Sequence, residues 1–310
     1  MITIPESDLV VHPLCLGGNV FGWSADEAQS HSVLDAYAGH GGNFIDTADV
    51  YSEWKEGNTG GDSEKIIGTW MKARGNRSEM VIATKVAKYS RRPGLSAKNI
   101  IAACEESLER LQSDYIDLYY SHEDDDKVSL EETMGAYAQL IAQGKVRYIA
   151  ASNFSPSRLQ EALKFSEENS LPSYIAVQEH YNLMVRKAFE LEMSPILAEN
   201  AISCIPYFGI ARGFLTGKYR PGIAVESVRA GGVGDYTNDK GFTVIAALDE
   251  ISKAHSSSLA AVALAWLRAN PTVSAPIASA RTVNQLEEII EIVELTNAEV
   301  ETLNSLTVLP

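Results

Sequence analysis

Four polar side chains stand at or just beyond the ends of apolar runs: Asp46 and Tyr51 in NFIDTADVYS, Lys85 closing MVIATK, and His122 after YIDLYYS. Each run has the length and composition of a short buried strand, and a stretch of helical period follows it. If these strands lie parallel in a barrel, all four side chains gather at the carboxyl-end face. A phenol, an ammonium, a carboxylate and an imidazole in one cleft can move protons to and from a bound molecule. The spacing of five between Asp46 and Tyr51 carries little by itself and gains meaning from the fold.

The elements that would position them recur along almost the whole chain. Strand-length apolar runs fall at Leu14–Gly17, Asn43–Asp46, Met80–Lys85, Tyr115–Ser121, Val146–Ser152, Tyr174–Gln178, Ile202–Phe208 and Val273–Ile277. Their alternation with helical stretches is the pattern of repeated βα units, and about eight such units close a barrel. Helix starts are marked by Ser96, Ser129 and the Ser155-Pro156 pair, because a hydroxyl can accept from a free amide and proline needs none. Thr282 with Gln285, and Thr296 with Glu299, have capping-box spacing. The expected fold is a (β/α)8 TIM barrel in one domain, residues 1–310, with an extra helix before the last strand (about 240–255 and 256–270) and another at the C-terminus. Segment 209–239 is Gly-rich and longer than an ordinary connection, so it is a candidate binding loop.

Composition narrows the partners. With 26 basic against 41 acidic residues and a net charge of -15, the chain is a poor match for nucleic acid or an anionic membrane, both of which need clustered Lys and Arg. Cys15, Cys104 and Cys204 are far apart and lie in apolar contexts, which suits buried thiols in a reducing cytoplasm. A secretory leader and a membrane span are not expected. The acidic run Glu123–Asp126 reads as a solvated loop, so no metal is expected there. A monomer or weak homo-oligomer acting on small molecules is the reading.

The ordered set LCLGGNVFG, NFIDTADVYS, GGDSEKIIGTWM, VIATK, SLERLQSDYIDLYYSHEDD, GKVRYIAASNFS, VQEHYN, GFLTGKYR and VALAWLRANPTVSAPIASARTVNQLEE resembles the aldo-keto reductases, and most closely their bacterial branch related to potassium-channel β subunits. The resemblance implies NADP(H), bound without the Gly-x-Gly-x-x-Gly turn of a Rossmann domain. It implies Tyr51 as the proton donor to a carbonyl oxygen, Lys85 and Asp46 as the pair that tunes it, and neutral His122 as the group that orients the carbonyl. Ser152, Asn153 and Gln178 match nicotinamide-carboxamide contacts, and Tyr207 the stacking aromatic. Phe208, Gly209, Arg212, Gly213, Leu215, Gly217 and Lys218 match the pyrophosphate-covering loop. Ser279, Arg281 and Gln285 fall where relatives hold the 2′-phosphate, and Glu288 where they reach adenine; Ile289 replaces a usual Asn.

On the substrate side, Trp23, Trp54, Tyr89 and Glu123 would form an open, polar-edged mouth suited to sugar-like or hydroxylated carbonyl compounds or the corresponding alcohols. The alternative is a regulatory subunit that senses bound cofactor and reduces carbonyls only slowly.

Overall fold

The computed structural model describes residues 1–223, 225 and 232–307. A two-stranded antiparallel ribbon, β1 (Ile2–Thr3) and β2 (Val10–Val11), comes first. Eight parallel strands follow: β3 (Cys15–Gly17), β4 (Phe44–Asp46), β5 (Val81–Val86), β6 (Ile116–Ser121), β7 (Val146–Ser152), β8 (Tyr174–Gln178), β9 (Ser203–Cys204) and β10 (Ile277–Ala278), in the order β10-β3-β4-β5-β6-β7-β8-β9. Backbone hydrogen bonds from Cys204 to Thr272, Ser274 to Cys204 and Ile277 to Pro206 join the two outer strands, so the expected (β/α)8 barrel closes.

The last two strands are shorter than the runs Ile202–Phe208 and Val273–Ile277 predict. Pro206 and Pro276 interrupt them, and proline has no N–H for a ladder. The ribbon ahead of β3, which the strand pattern does not anticipate, plugs the amino-end of the barrel: Ile4, Leu9 and Val11 pack with Cys15, Phe44, Val81 and Leu118 from the barrel interior.

Helices clothe the barrel: α1 (Glu27–Gly39), α2 (Asp62–Arg74) and α6 (Ser194–Glu199), with three more where the serine start signals place them. In α3 (Ala97–Leu111), Ile100, Ala103, Cys104, Ser107, Leu108 and Leu111 are buried, a single face at helical spacing. Ser96 caps its start, and Gln112 in a left-handed conformation stops it. Each large apolar side chain on that face stabilises by about 1.5–3 kcal/mol relative to exposure. An acidic residue at Leu111 would break the contact with the barrel. Ser129 and Ser155 cap α4 (Leu130–Ala142) and α5 (Pro156–Asn169) in the same way.

The extra helices are α7 (Asp239–His255) and α8 (Leu259–Arg268) before β10, and α10 (Asn297–Leu306) after α9 (Val283–Ile290). Thr296 and Glu299 form the full capping box of α10. At α9 only half of the box forms: Thr282 accepts from the Gln285 amide, but the Gln285 side chain turns back to the Arg281 amide. Among the described residues no helix is long and apolar enough to cross a membrane. Of segment 209–239, residues 224 and 226–231 lie outside the described residues.

Candidate active site

Period-two geometry places the polar residues. In β5, Val81 and Ala83 point into the barrel while Ile82 and Val86 pack outward under the helices, so Lys85 must point inward. The same alternation turns Asp46 of β4, Ser152 of β7 and Gln178 of β8 inward, each at its strand's carboxyl end. The register pairs Asp46 with Ala83, Lys85 with Tyr120 and Ser152 with Gln178, which brings these ends level.

The result is a connected floor. Lys85 is fully buried, and its Nζ donates to Asp46 Oδ2 at 2.6 Å, to the Thr47 carbonyl at 2.7 Å and to Tyr51 Oη at 3.0 Å. Tyr51 Oη lies 3.3 Å from the same Asp46 oxygen. Gln178 Nε2 donates to Asp46 Oδ1 at 2.9 Å. A buried ammonium is tolerable only with such partners, since desolvation of an isolated ion costs several kcal/mol. Burial lowers the Lys85 pKa, and Asp46 opposes that effect. Burial raises the Tyr51 pKa well above the usual phenol value, and the Asp46 carboxylate raises it further. The phenol therefore holds its proton at neutral pH, even though the ammonium is close enough to favour a phenolate. Asp46 already compensates that ammonium.

Tyr51 is not on a strand, and its position depends on the loop after β4. Ser52 takes the left-handed φ of 72°, which is uncommon for a residue with a Cβ. Its buried Oγ donates to the Phe21 carbonyl at 2.7 Å and ties this loop to the one after β3.

His122 follows β6. Its amide donates to the Val86 carbonyl, and Asn153 Nδ2 donates to the His122 carbonyl, both at 2.8–2.9 Å. The ring lies 6.0 Å from that of Tyr51, and its buried Nδ1 has no hydrogen-bond partner among the described residues. Burial, then the charges of Lys85 and Lys88, hold its pKa well below 6.5, so the ring is neutral.

Above this floor is a cleft of about 330 Å³. Asp46, Tyr51, Trp54, His122, Ser152, Asn153, Gln178, Tyr207, Phe208, Arg212 and Ser279 line it, eleven of the residues singled out from the sequence. Ile210, Arg212 and Ser279 also border a second hollow of about 110 Å³, which Gly213, Lys218, Arg281, Gln285 and Glu288 surround. The two form one groove running from the Tyr51 hydroxyl toward the start of α9.

A sequence profile of the Aldo/keto reductase family matches residues 13–307, nearly the whole chain. The chain belongs to the aldo/keto reductase family. Protein tas of Escherichia coli is 32% identical over 324 residues, covering 96% of this chain and 93% of that one. A probable voltage-gated potassium channel subunit beta of Arabidopsis thaliana is 32% identical, covering 94% of this chain and 90% of that one. Norsolorinic acid reductase A of Aspergillus parasiticus is 31% identical, covering 97% and 78%. Family membership makes the chain an oxidoreductase of the carbonyl-reducing class, whose members generally use NAD(P)H.

In this aldo/keto reductase some expected residues stand back from the groove. Leu215 is buried in the core. Gly209 lies against Leu264 and Leu267 of α8, where a Cβ would come within 3.0–3.1 Å of them. Gly217 closes the short 3-10 helix Ala211–Thr216 with φ 76°. Trp23 meets Trp54 edge-on at 5.7 Å and is one ring removed from Tyr51. Tyr89 covers Gly60, and Glu123 sits at the rim, 3.7 Å from Lys88.

Other residues bordering the cleft had no sequence signal of their own: Gly17, Asn19, Lys88, Ile210, Ile277 and Ala278. Gly17, Ile277 and Ala278 reach it from β3 and β10, and Asn19, Lys88 and Ile210 from the segments that follow strands, so only places at or just beyond strand ends could have suggested them. His180 likewise stacks on Tyr207, with ring centroids 5.5 Å apart.

Proposed function

We propose that the protein reversibly reduces an aldehyde or ketone to an alcohol with NADPH, Tyr51 delivering the proton. The observation that carries this reading is the Lys85–Asp46–Tyr51 cluster flooring the same cleft that His122 lines.

The groove fits an extended pyridine dinucleotide. At its inner end Ser152, Asn153 and Gln178 offer amide and hydroxyl groups already held in place: Ser152 Oγ donates to the Gln178 carbonyl, and Tyr207 Oη to Asn153 Oδ1, both at 2.9 Å. These three would hold the nicotinamide carboxamide, and Tyr207 would present its flat face to the ring. Arg212 and Gly213 adopt left-handed φ values of 58° and 93°, and such a turn exposes backbone to a phosphate. Arg212 and Lys218 would offset the pyrophosphate charge. Arg281, just before the Thr282 cap of α9, would receive the 2′-phosphate at a helix start whose free amides favour an anion. Glu288 would reach the adenine.

When bound, NADPH supplies the hydride. The chain's part is proton and geometry. His122 donates a hydrogen bond to the carbonyl oxygen and sets its angle. As negative charge develops on that oxygen, Tyr51 Oη gives up its proton, and the adjacent Lys85 ammonium stabilises the phenolate left behind. Asp46 keeps Lys85 charged and in place.

Replacing Tyr51 with Phe should leave NADPH binding intact by cofactor fluorescence and lower turnover by about 10²–10⁴-fold. Full retained activity would overturn the assignment. The relative described as a probable channel subunit supports a second reading, a cofactor-sensing subunit. That reading requires tight NADP(H) retention with very slow reduction of every carbonyl tested.

A further inference from the structure

The cations around the groove divide into two groups. Arg212, Lys218 and Arg281 border the stretch running toward α9. Lys85 is buried and engaged by Asp46. Lys88 belongs to neither group: it lies three residues beyond Lys85, at the start of the loop after β5, and lines the cleft wall with Trp54 and His122. Its charge reaches the reacting end of the cleft, since it is among the groups that disfavour protonation of His122.

Its ion-pair partner among the described residues is Glu123, at 3.7 Å. That separation exceeds a direct hydrogen bond, and both side chains are a third or more exposed, so the pair holds the ammonium only weakly. A loosely held cation lining the cleft attracts groups of opposite sign at short range, where it outweighs the screened, distant repulsion of a chain with net charge -15.

We propose that Lys88 determines substrate specificity by receiving an anionic group, carboxylate or phosphate, carried by the carbonyl compound. The proposal rests on the reductase reading for its chemistry. With the anion on Lys88, the carbonyl end reaches inward to His122 and Tyr51, and the Glu123 carboxylate is released to solvent at the rim.

Two matched pairs test the idea: succinic semialdehyde against butanal for a carboxylate, and glyceraldehyde 3-phosphate against glyceraldehyde for a phosphate, with NADPH oxidation as the readout. Wild type is expected to favour at least one anionic member by roughly ten-fold or more in kcat/KM. Lys88→Met should abolish that preference through KM with little change in kcat, and Glu123→Gln should lower KM for the same compound. A response in one pair identifies the group, and a response in both assigns recognition to charge alone; either supports the proposal. Equal efficiency within both pairs, or a preference unchanged in Lys88→Met, overturns it.

A binding measurement separates this inference from the reductase reading. Butanoate, which cannot be reduced, should quench the tryptophan fluorescence of wild type through Trp54 and bind Lys88→Met about ten-fold more weakly. If that difference appears while no carbonyl is turned over, the reductase reading falls and the Lys88 site stands. Equal butanoate binding by both proteins removes the site.

Discussion

Asp49 provides the sharpest quantitative test of how the loop after β4 is built. It lies two residues before Tyr51, is 3% exposed, and among the described residues neither carboxyl oxygen has a hydrogen-bond partner of normal geometry. Burial, then the nearby Glu64 carboxylate, pushes its pKa from the ordinary 3.8 up to about 8, while Arg110 and the Val50 amide offset only part of the rise. Glu64 draws the Arg110 charge to itself, with Arg110 Nε donating to it at 2.6 Å. Asp49 is therefore protonated in the folded protein at neutral pH and ionised in the unfolded chain.

Because the folded pKa lies above the unfolded one, the stability contribution of Asp49 is intact below about pH 4. It declines as pH rises and is lost once the pH passes about 8. Each pH interval above 3.8 costs about 1.4 kcal/mol, so at pH 7 the folded state carries a penalty of roughly 4 kcal/mol from this residue. Asparagine has nearly the same shape and no proton to retain. Asp49→Asn should therefore stabilise the protein by about 5 kcal/mol at pH 8 and by only about 1 kcal/mol near pH 4.5.

Thermal unfolding of both proteins by circular dichroism at the two pH values measures this, and the difference between them cancels every other titrating group. A melting-temperature gain of about 5 °C or more at pH 8 is expected, shrinking as the solution is acidified. A variant equally stable or less stable than wild type at pH 8, with no pH dependence in the difference, would refute a protonated Asp49.

Ser52→Ala keeps the left-handed backbone but loses the bond to Phe21, so it should destabilise by about 1 kcal/mol in denaturant unfolding, whereas Ser52→Gly relieves the strain and should cost less. Since the Tyr51 pKa is raised and that of His122 lowered, reduction should be nearly flat from about pH 6 to about pH 9. Alcohol oxidation, which needs a phenolate, should climb with pH; a falling oxidation rate in pH-dependent kinetics would contradict Tyr51 as the acid. Arg281→Ala should weaken NADPH binding by about ten-fold or more and leave NADH nearly unaffected, measured by fluorescence titration; an equal loss for both would place the phosphate elsewhere.

What the sequence made legible were features whose cause lies within a few residues. Asp46, Lys85, Ser152 and Gln178 each close a run of period two, so strand geometry alone turns them toward one cavity, and the serine caps of α3, α4 and α5 are local hydrogen bonds. Features missed from the sequence depend on contacts made across the fold. Pro206 and Pro276 shorten the two strands at the barrel's closing seam, a cost visible only once the seam is located. Ile4, Leu9 and Val11 plug the barrel floor because a cavity is there to fill. The turn through Phe208, Ala211 and Arg212 uses left-handed backbone at three residues that carry a Cβ, so of the loop residues expected to cover the pyrophosphate Arg212, Gly213 and Lys218 border the groove while Gly209, Leu215 and Gly217 stand back from it. Lys88 and Asp49 are the instructive pair. Both are charged residues in loops, where composition alone assigns them to solvent. One borders the cleft with an ion-pair partner 3.7 Å away, the other is sealed near Glu64 and Arg110, and burial, which sequence does not state, separates a group placed to bind from one forced to hold its proton.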